Sequence, residues 1–247
     1  MTQKKTSNKQ IIIMGEPDLI SELAHVCNAS SYSVITKKIP GQKSLPEFCI
    51  QTGKLPNTPS CAFELSNINF NAKKINVQLL DKTLPPQTLI FSSAVTTTIT
   101  EQSTWIKHPD RLIGISALPT LLKNKLIEIS ASIHTSPDIL SHAKSILTTL
   151  GKETSQVQDR VGMVLPRILC MLINEAYFAL MEQVASSNDI DLAMKLGTNY
   201  PEGPITWSQQ IGLPQVVAVL DAIHSNLREE RYRVSPLLRQ LSSSSKK

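Results

Sequence analysis

The sequence predicts an α/β domain with a mostly parallel sheet, followed by a second domain made of helices alone. Short apolar, β-branched runs alternate with helical periodicity up to about residue 157. Beyond that point the apolar residues keep helical spacing and no strand pattern returns. At 247 residues, 41% hydrophobic and 18% charged, the chain is also long enough to bury two cores. The expected division is residues 11–157 and 158–241, between solvated, disordered tails at 1–10 and 242–247.

IIIM (11–14) is a short buried strand, Gly15 turns the chain, and PDLISELAHVCNA (17–29) is a helix with Leu19, Leu23, Ala24 and Val26 on one face. YSVIT and SCAFEL are the next strands, and AKKINVQLLDK is a helix. TLIFSSA, RLIGIS and KLIEISAS follow as strands. Between the second and third strands, KKIPGQKSLPEFCIQTGKLPNTP holds four prolines and little periodicity, so a loop is expected there. In the second part, MVLPRILCMLINEAYFALMEQVA is a long apolar helix that Pro166 must kink or delay. SSNDIDLAMKLG is a shorter helix expected to close at Gly197. GPITWSQQIG and LPQVVAVLDAIHSNLREE continue the helical run.

Composition excludes several classes. No apolar run approaches the roughly 18 residues of a membrane span. Cys27, Cys49, Cys61 and Cys170 are scattered without C-x-x-C spacing, which argues against a metal site or disulfide framework and fits a reducing cytoplasm. The net charge of +5 owes much to Lys4, Lys5, Lys9, Lys246 and Lys247 near the ends, and no basic run is interleaved with aromatics. Nucleic acid is therefore not an expected partner.

The stretch Asp159–Leu213, DRVGMVLPRILCMLINEAYFALMEQVASSNDIDLAMKLGTNYPEGPITWSQQIGL, resembles D-x-P-G-F-V-x-N-R…NEA…DID-x-AMKLG…P-x-GP of the 3-hydroxyacyl-CoA dehydrogenases, the 3-hydroxybutyryl-CoA dehydrogenases in particular. RYRVSPLLRQL is similar to that family's R-Y-x-P-x-P-L-L segment, and TLPPQTLIFSSAVTTTITE through KNKLIEI lies on its pattern without gaps. The resemblance implies a Rossmann domain for NAD and a helical domain through which family members dimerise. It also implies a histidine general base, a glutamate twelve residues on that orients it, a serine contact to substrate and an asparagine that polarises the substrate oxygen. Here those positions are Ser116, Glu128, Val95 and Pro166, so only Glu128 is retained. A positioned base supplies about 10²–10⁴ in rate, and a hydroxyl cannot replace it near neutral pH. His134, in ASIHTSPD, reads as a surface loop histidine before a helix cap.

The cofactor positions diverge in the same way. Of G-x-G-x-x-G, Gly15 keeps the tight turn, while Pro17 and Ile20 stand where glycines meet the pyrophosphate and the helix packs close. Pro17 with Glu16 and Asp18 makes a self-sufficient helix start, the carboxylates offsetting the helix dipole. The acidic ribose position falls at Lys38, the loop glutamate at Ile68, and Lys73 matches a family lysine although a solvent-facing helical lysine explains it equally.

No cofactor is expected on these grounds, and a CoA thioester is not carried over with the residues present. The principal reading is a non-catalytic family member, a homodimeric scaffold or the heterodimeric partner of an intact paralogue. One alternative is an NAD-dependent 3-hydroxyacyl-CoA dehydrogenase with a rebuilt site. Another is an acyl-CoA or small-ligand sensor, with Ser92, Ser93, Thr96 and Ser116 lining a polar pocket.

Overall fold

A computed structural model describes residues 9–37 and 44–244. Eight strands form one sheet in the order β3-β2-β1-β4-β5-β6-β7-β8. They are β1 (Gln10–Gly15), β2 (Ser33–Lys37), β3 (Ile50–Thr52), β4 (Cys61–Leu65), β5 (Ile90–Ser93), β6 (Leu112–Ile115), β7 (Leu126–Ala131) and β8 (Glu153–Gln156). All neighbours pair in parallel except β6 with β7, where Ile115 faces Ile129 in antiparallel register. Helices α1 (Pro17–Ala29), α2 (Phe70–Thr83), α3 (Ile99–Ser103) and α4 (Pro137–Thr149) flank the sheet.

The sheet's two faces follow from the period of two along each strand. Ile11, Ile13, Val34, Phe63, Phe91 and Ile113 point to the side of α1 and α4. The alternate residues Ile12, Met14, Ala62, Ile90 and Leu112 point to the other side. There they join one apolar cluster with Val77 and Leu80 of α2 and with Cys170, Ile173, Val216, Val219 and Ile223 from beyond residue 158. The helical part is thus continuous with the sheet's core rather than built on a core of its own.

That part comprises α5 (Leu165–Met181), α6 (Ser187–Thr198), α7 (Pro204–Ile211), α8 (Leu213–Leu227) and α9 (Pro236–Ser244). Pro166 sits in the first turn of α5, so the helix starts late and is not kinked. The side chain of Ser186 caps α6 by accepting from the Asp189 N–H. Gly197 lies inside α6, and Asn199, left-handed at φ 56°, ends it instead. Asn174 of α5 donates to the Arg233 carbonyl and accepts from the Ser235 N–H, fixing the RYRVSP segment.

Two expectations change in the first part. The proline-rich stretch contains the short edge strand β3, and ETSQ forms the opposite edge as β8. Both are polar or exposed on most residues, so neither carries an apolar strand signal. The tails are also shorter than expected, because β1 takes in Gln10 and α9 takes in Ser242 to Ser244. Among the described residues no helix is long and apolar enough to cross a membrane.

Candidate functional site at the strand ends

In a doubly wound sheet, ligands dock beyond the carboxyl ends of the strands. Gly15 ends β1 there at φ 138°, and a Cβ on it would lie 2.5 Å from the Leu65 carbonyl carbon. The glycine therefore serves the contact between β1 and β4, where the Glu16 N–H donates to the Leu65 carbonyl at 3.2 Å. Pro17 occupies the first position of α1. Ile20 is 1% exposed and packs in the sheet-facing core, so a side chain fills the space a third glycine would leave open. Lys38 lies outside the described residues.

Glu16 stands at the N-cap position of α1, but its side chain makes no capping hydrogen bond. Its carboxylate instead accepts from the N–H groups of Asn67 at 2.8 Å and Ile68 at 2.7 Å, in the turn after β4. The side-chain amide of Gln215, in the first turn of α8, donates to its other oxygen. Burial is the largest influence on this carboxyl and, with the nearby Glu64 charge, pushes its pKa up against the three donors. Asn67 in turn donates to the Ala117 carbonyl at 2.8 Å and to the Gln215 side-chain oxygen at 3.0 Å, and it accepts from Ser93 at 2.6 Å. Asn67, Ser93 and Gln215 are all buried. These connections from residues 67 and 215 carry no local sequence signal.

Lys73 is neither solvent-facing nor directed to a ligand groove. Its ammonium lies 2.8 Å from the buried Glu64 carboxylate and donates to the Ser93 carbonyl at 2.9 Å. Of the four hydroxyls suggested for a polar pocket, Ser92, Ser93 and Ser116 are buried and bonded within the chain. Ser92 donates to Gln102 at 2.6 Å, Ser93 is bound to Asn67, and the Ser116 hydroxyl accepts from the Glu128 N–H at 3.0 Å. Thr96 is half-buried.

Glu128 stands on the antiparallel strand β7 and reaches across to α5. Its carboxylate accepts from the N–H groups of Val164 at 2.8 Å and Leu165 at 2.6 Å. It therefore caps a helix whose own N-cap, Val164, offers no side-chain acceptor. Val95 is fully buried, and its carbonyl accepts from the Gly162 N–H at 2.9 Å. Pro166 is buried at the start of α5. The four family positions thus converge around the α5 N-terminus, but they hold a capping carboxylate, a hydroxyl turned to a strand amide and two apolar side chains. His134 is exposed in the loop before α4, as the sequence implies.

Other carboxylates do similar work nearby. Asp159 accepts from the N–H groups of Ile99 and Thr100 at the head of α3. Glu22 accepts from Thr120 and Lys123, while the Lys152 ammonium binds the carbonyls of Leu122 and Asn124. Burial pushes the Lys152 pKa down, against the charge of Glu22. The turn they hold borders a cavity of about 250 Å³ between the sheet and the helical part, with Lys123, Leu165, Leu169 and Trp207 in its wall.

Two family models match the chain. The 3-hydroxyacyl-CoA dehydrogenase NAD binding domain matches residues 61–160, and the 3-hydroxyacyl-CoA dehydrogenase C-terminal domain matches 162–247. A probable 3-hydroxybutyryl-CoA dehydrogenase of Bacillus subtilis is 34% identical over 70% of this chain and 60% of its own length. A 3-hydroxybutyryl-CoA dehydrogenase of Clostridioides difficile is 32% identical over 72% of this chain and 63% of its own. The matched region thus spans less than two thirds of these relatives. Among solved structures, FadB2 of M. tuberculosis superposes with a TM-score of 0.84 at 18% identity, covering 96% of this chain and 94% of that one. The (S)-3-hydroxybutyryl-CoA dehydrogenase PaaH1 of Ralstonia eutropha gives 0.78 at 23% identity, covering 97% and 95%. At these identities the superpositions establish the fold.

Proposed function

Because this chain belongs to the 3-hydroxyacyl-CoA dehydrogenase family, we propose that it is a member without catalysis, acting as a dimeric scaffold or regulatory partner. One observation carries the reading. Glu128, the retained catalytic position, has both carboxylate oxygens bound by backbone N–H groups of α5. The carboxylate so placed holds the start of α5 and has no histidine to orient, because the base position holds Ser116.

The cofactor groove supports the same reading. A dinucleotide would bring its pyrophosphate toward the head of α1, where Pro17 has no N–H and Glu16 adds a negative charge. The residues present do not fit that group. Dimerisation is proposed through the helical part, where α6 buries no residue and Leu192, Leu196 and Val184 are 54%, 77% and 72% exposed. The partner is a second copy or an intact paralogue.

Calorimetric titration of the purified chain with NADH tests the reading, together with an assay of NADH oxidation by acetoacetyl-CoA. No binding and no turnover are expected. Micromolar NADH affinity or measurable hydride transfer would replace it with a dehydrogenase whose site has been rebuilt.

A further inference from the structure

Gln215 belongs to the helical part, yet its amide lies among groups from the ends of β1, β4, β5 and β6. It bonds Glu16 after β1 and Asn67 after β4 directly. Through Asn67 it is tied to Ser93 at the end of β5 and to the Ala117 carbonyl after β6.

The polarity of this chain of bonds is fixed from one end. The Ala117 carbonyl can only accept, so it holds the NH₂ side of the Asn67 amide, and the Ser93 hydroxyl donates to the other side. The same NH₂ donates to the Gln215 oxygen. The Gln215 NH₂ is thereby turned toward Glu16. Glu16 thus meets three donors, two of them backbone N–H groups of Asn67 and Ile68. Three converging donors at the strand ends make an anion site, and the chain's own carboxylate fills it.

We infer that Glu16 and Gln215 form a ligand-independent clamp, in which Glu16 is an internal anion that holds the helical part closed over the strand ends. In this arrangement closure needs no bound cofactor. The inference rests on the reading that no dinucleotide uses this cleft, but its test needs no nucleotide. Hydrogen exchange on the whole chain follows the amides of 66–69, 117–118 and the first turn of α8. Glu16→Ala removes the anion and leaves three donors unsatisfied, and Gln215→Leu removes the tether while keeping an apolar helix.

Both variants are expected to exchange about tenfold faster at these amides, the loss of roughly one buried hydrogen bond, while central strand amides keep their protection. Formate is expected to enter the space left in Glu16→Ala and restore protection, where chloride at equal ionic strength does not. In Gln215→Leu, which has no such space, formate has no effect. Should Glu16→Ala not fold, Glu16→Gln keeps the volume but sets an NH₂ group against that of Gln215, so it must show the same faster exchange. Wild-type exchange in Gln215→Leu and in whichever Glu16 variant folds would overturn the clamp. A protection loss in Glu16→Ala that formate leaves unchanged would overturn the internal-anion assignment. NADH binding by the wild type alongside the expected exchange pattern would remove the proposed function and leave the clamp standing.

Discussion

The Lys73 ammonium and the Glu64 carboxylate form an ion pair of 2.8 Å, with side-chain exposures of 1% and 0%. Glu64 also accepts from the Ser66 N–H and the Asn76 amide, and Lys73 donates to the Ser93 carbonyl, so the pair organises the ends of β4 and β5 against α2. Removing one partner of such a pair strands a buried charge, at a cost of about 3–5 kcal/mol. Lys73→Met is therefore expected to lower the urea midpoint at unchanged m-value. Adding Glu64→Gln should recover most of the loss. Equal midpoints for Lys73→Met and wild type would refute the structural role.

Asp81 makes the stability depend on pH. Burial raises its pKa, but hydrogen bonds from Arg111, the Lys107 N–H and His108 outweigh this and hold the carboxyl below its ordinary range. Its folded pKa is depressed, so its stability contribution is complete above the unfolded value and is lost as pH falls through the folded one. Asp81→Asn, which leaves the buried Arg111 guanidinium without a counter-charge, should cost about 3–5 kcal/mol at neutral pH. It should also flatten the acid limb of a stability–pH curve. Denaturant midpoints across that limb check both, and a variant that keeps the wild-type slope contradicts the assignment.

Asp191 and Gly203 explain the DID and GP motifs without a ligand. The Asp191 carboxylate accepts from the N–H groups of Ile205 and Thr206 and from the Thr206 hydroxyl, capping α7. A Cβ on Gly203 would meet the Asp191 side chain at 2.2 Å and its Cβ at 2.3 Å. Asp191→Ala should cost about 0.5–2 kcal/mol, as lost caps do. Gly203→Ala should cost about 1–3 kcal/mol by forcing α6 and α7 apart. Asp191→Ala cannot rescue it, because alanine keeps the Cβ that clashes. Thermal melts of the two singles and the double variant decide this, and recovery in the double would show the contact to be misassigned.

The sequence carries the order of strands and helices where burial is two-sided or amphipathic. IIIM and CAFEL read as strands because nearly every residue is buried, and α5 and α8 read as helices from their apolar faces. Strands β3 and β8 do not, since edge strands need few apolar residues. Gly15 is legible because one residue type meets its turn. The destination of Glu16 is not, because its partners lie 51 to 199 positions away. Lys73 fails for a similar reason, since a helical lysine reads as solvated unless its buried carboxylate is known. Glu128 keeps its family identity, and nothing about the residue at position 128 announces that its carboxylate caps α5 through the Val164 and Leu165 N–H groups.

The exposed side of α6 bears directly on assembly. Leu192 and Leu196 are four residues apart, hence on one helix face, and both are exposed among the described residues. A dimer built through this face loses two apolar anchors in Leu192→Glu/Leu196→Glu, and like charges then oppose across a two-fold axis. Light scattering at micromolar concentration is expected to give a dimer for the wild type and a monomer for the variant, with the monomer still folded by circular dichroism. A wild-type monomer contradicts self-association, and a dimeric double variant moves the interface elsewhere.

Restoring the missing histidine alone should not restore chemistry. In Ser116→His the imidazole gains a place beside Glu128, whose oxygens each accept one N–H, from Val164 and Leu165, and keep a lone pair for the ring. Position 166 would still be proline, with no amide to polarise a substrate oxygen. NADH oxidation by acetoacetyl-CoA is therefore expected to stay at background in Ser116→His. Glu128→Ala should instead reveal itself as a stability loss of about 0.5–2 kcal/mol from the uncapped helix. Turnover appearing in Ser116→His would mean that a base beside Glu128 suffices with Val95 and Pro166 in place, and the non-catalytic reading would fall with it.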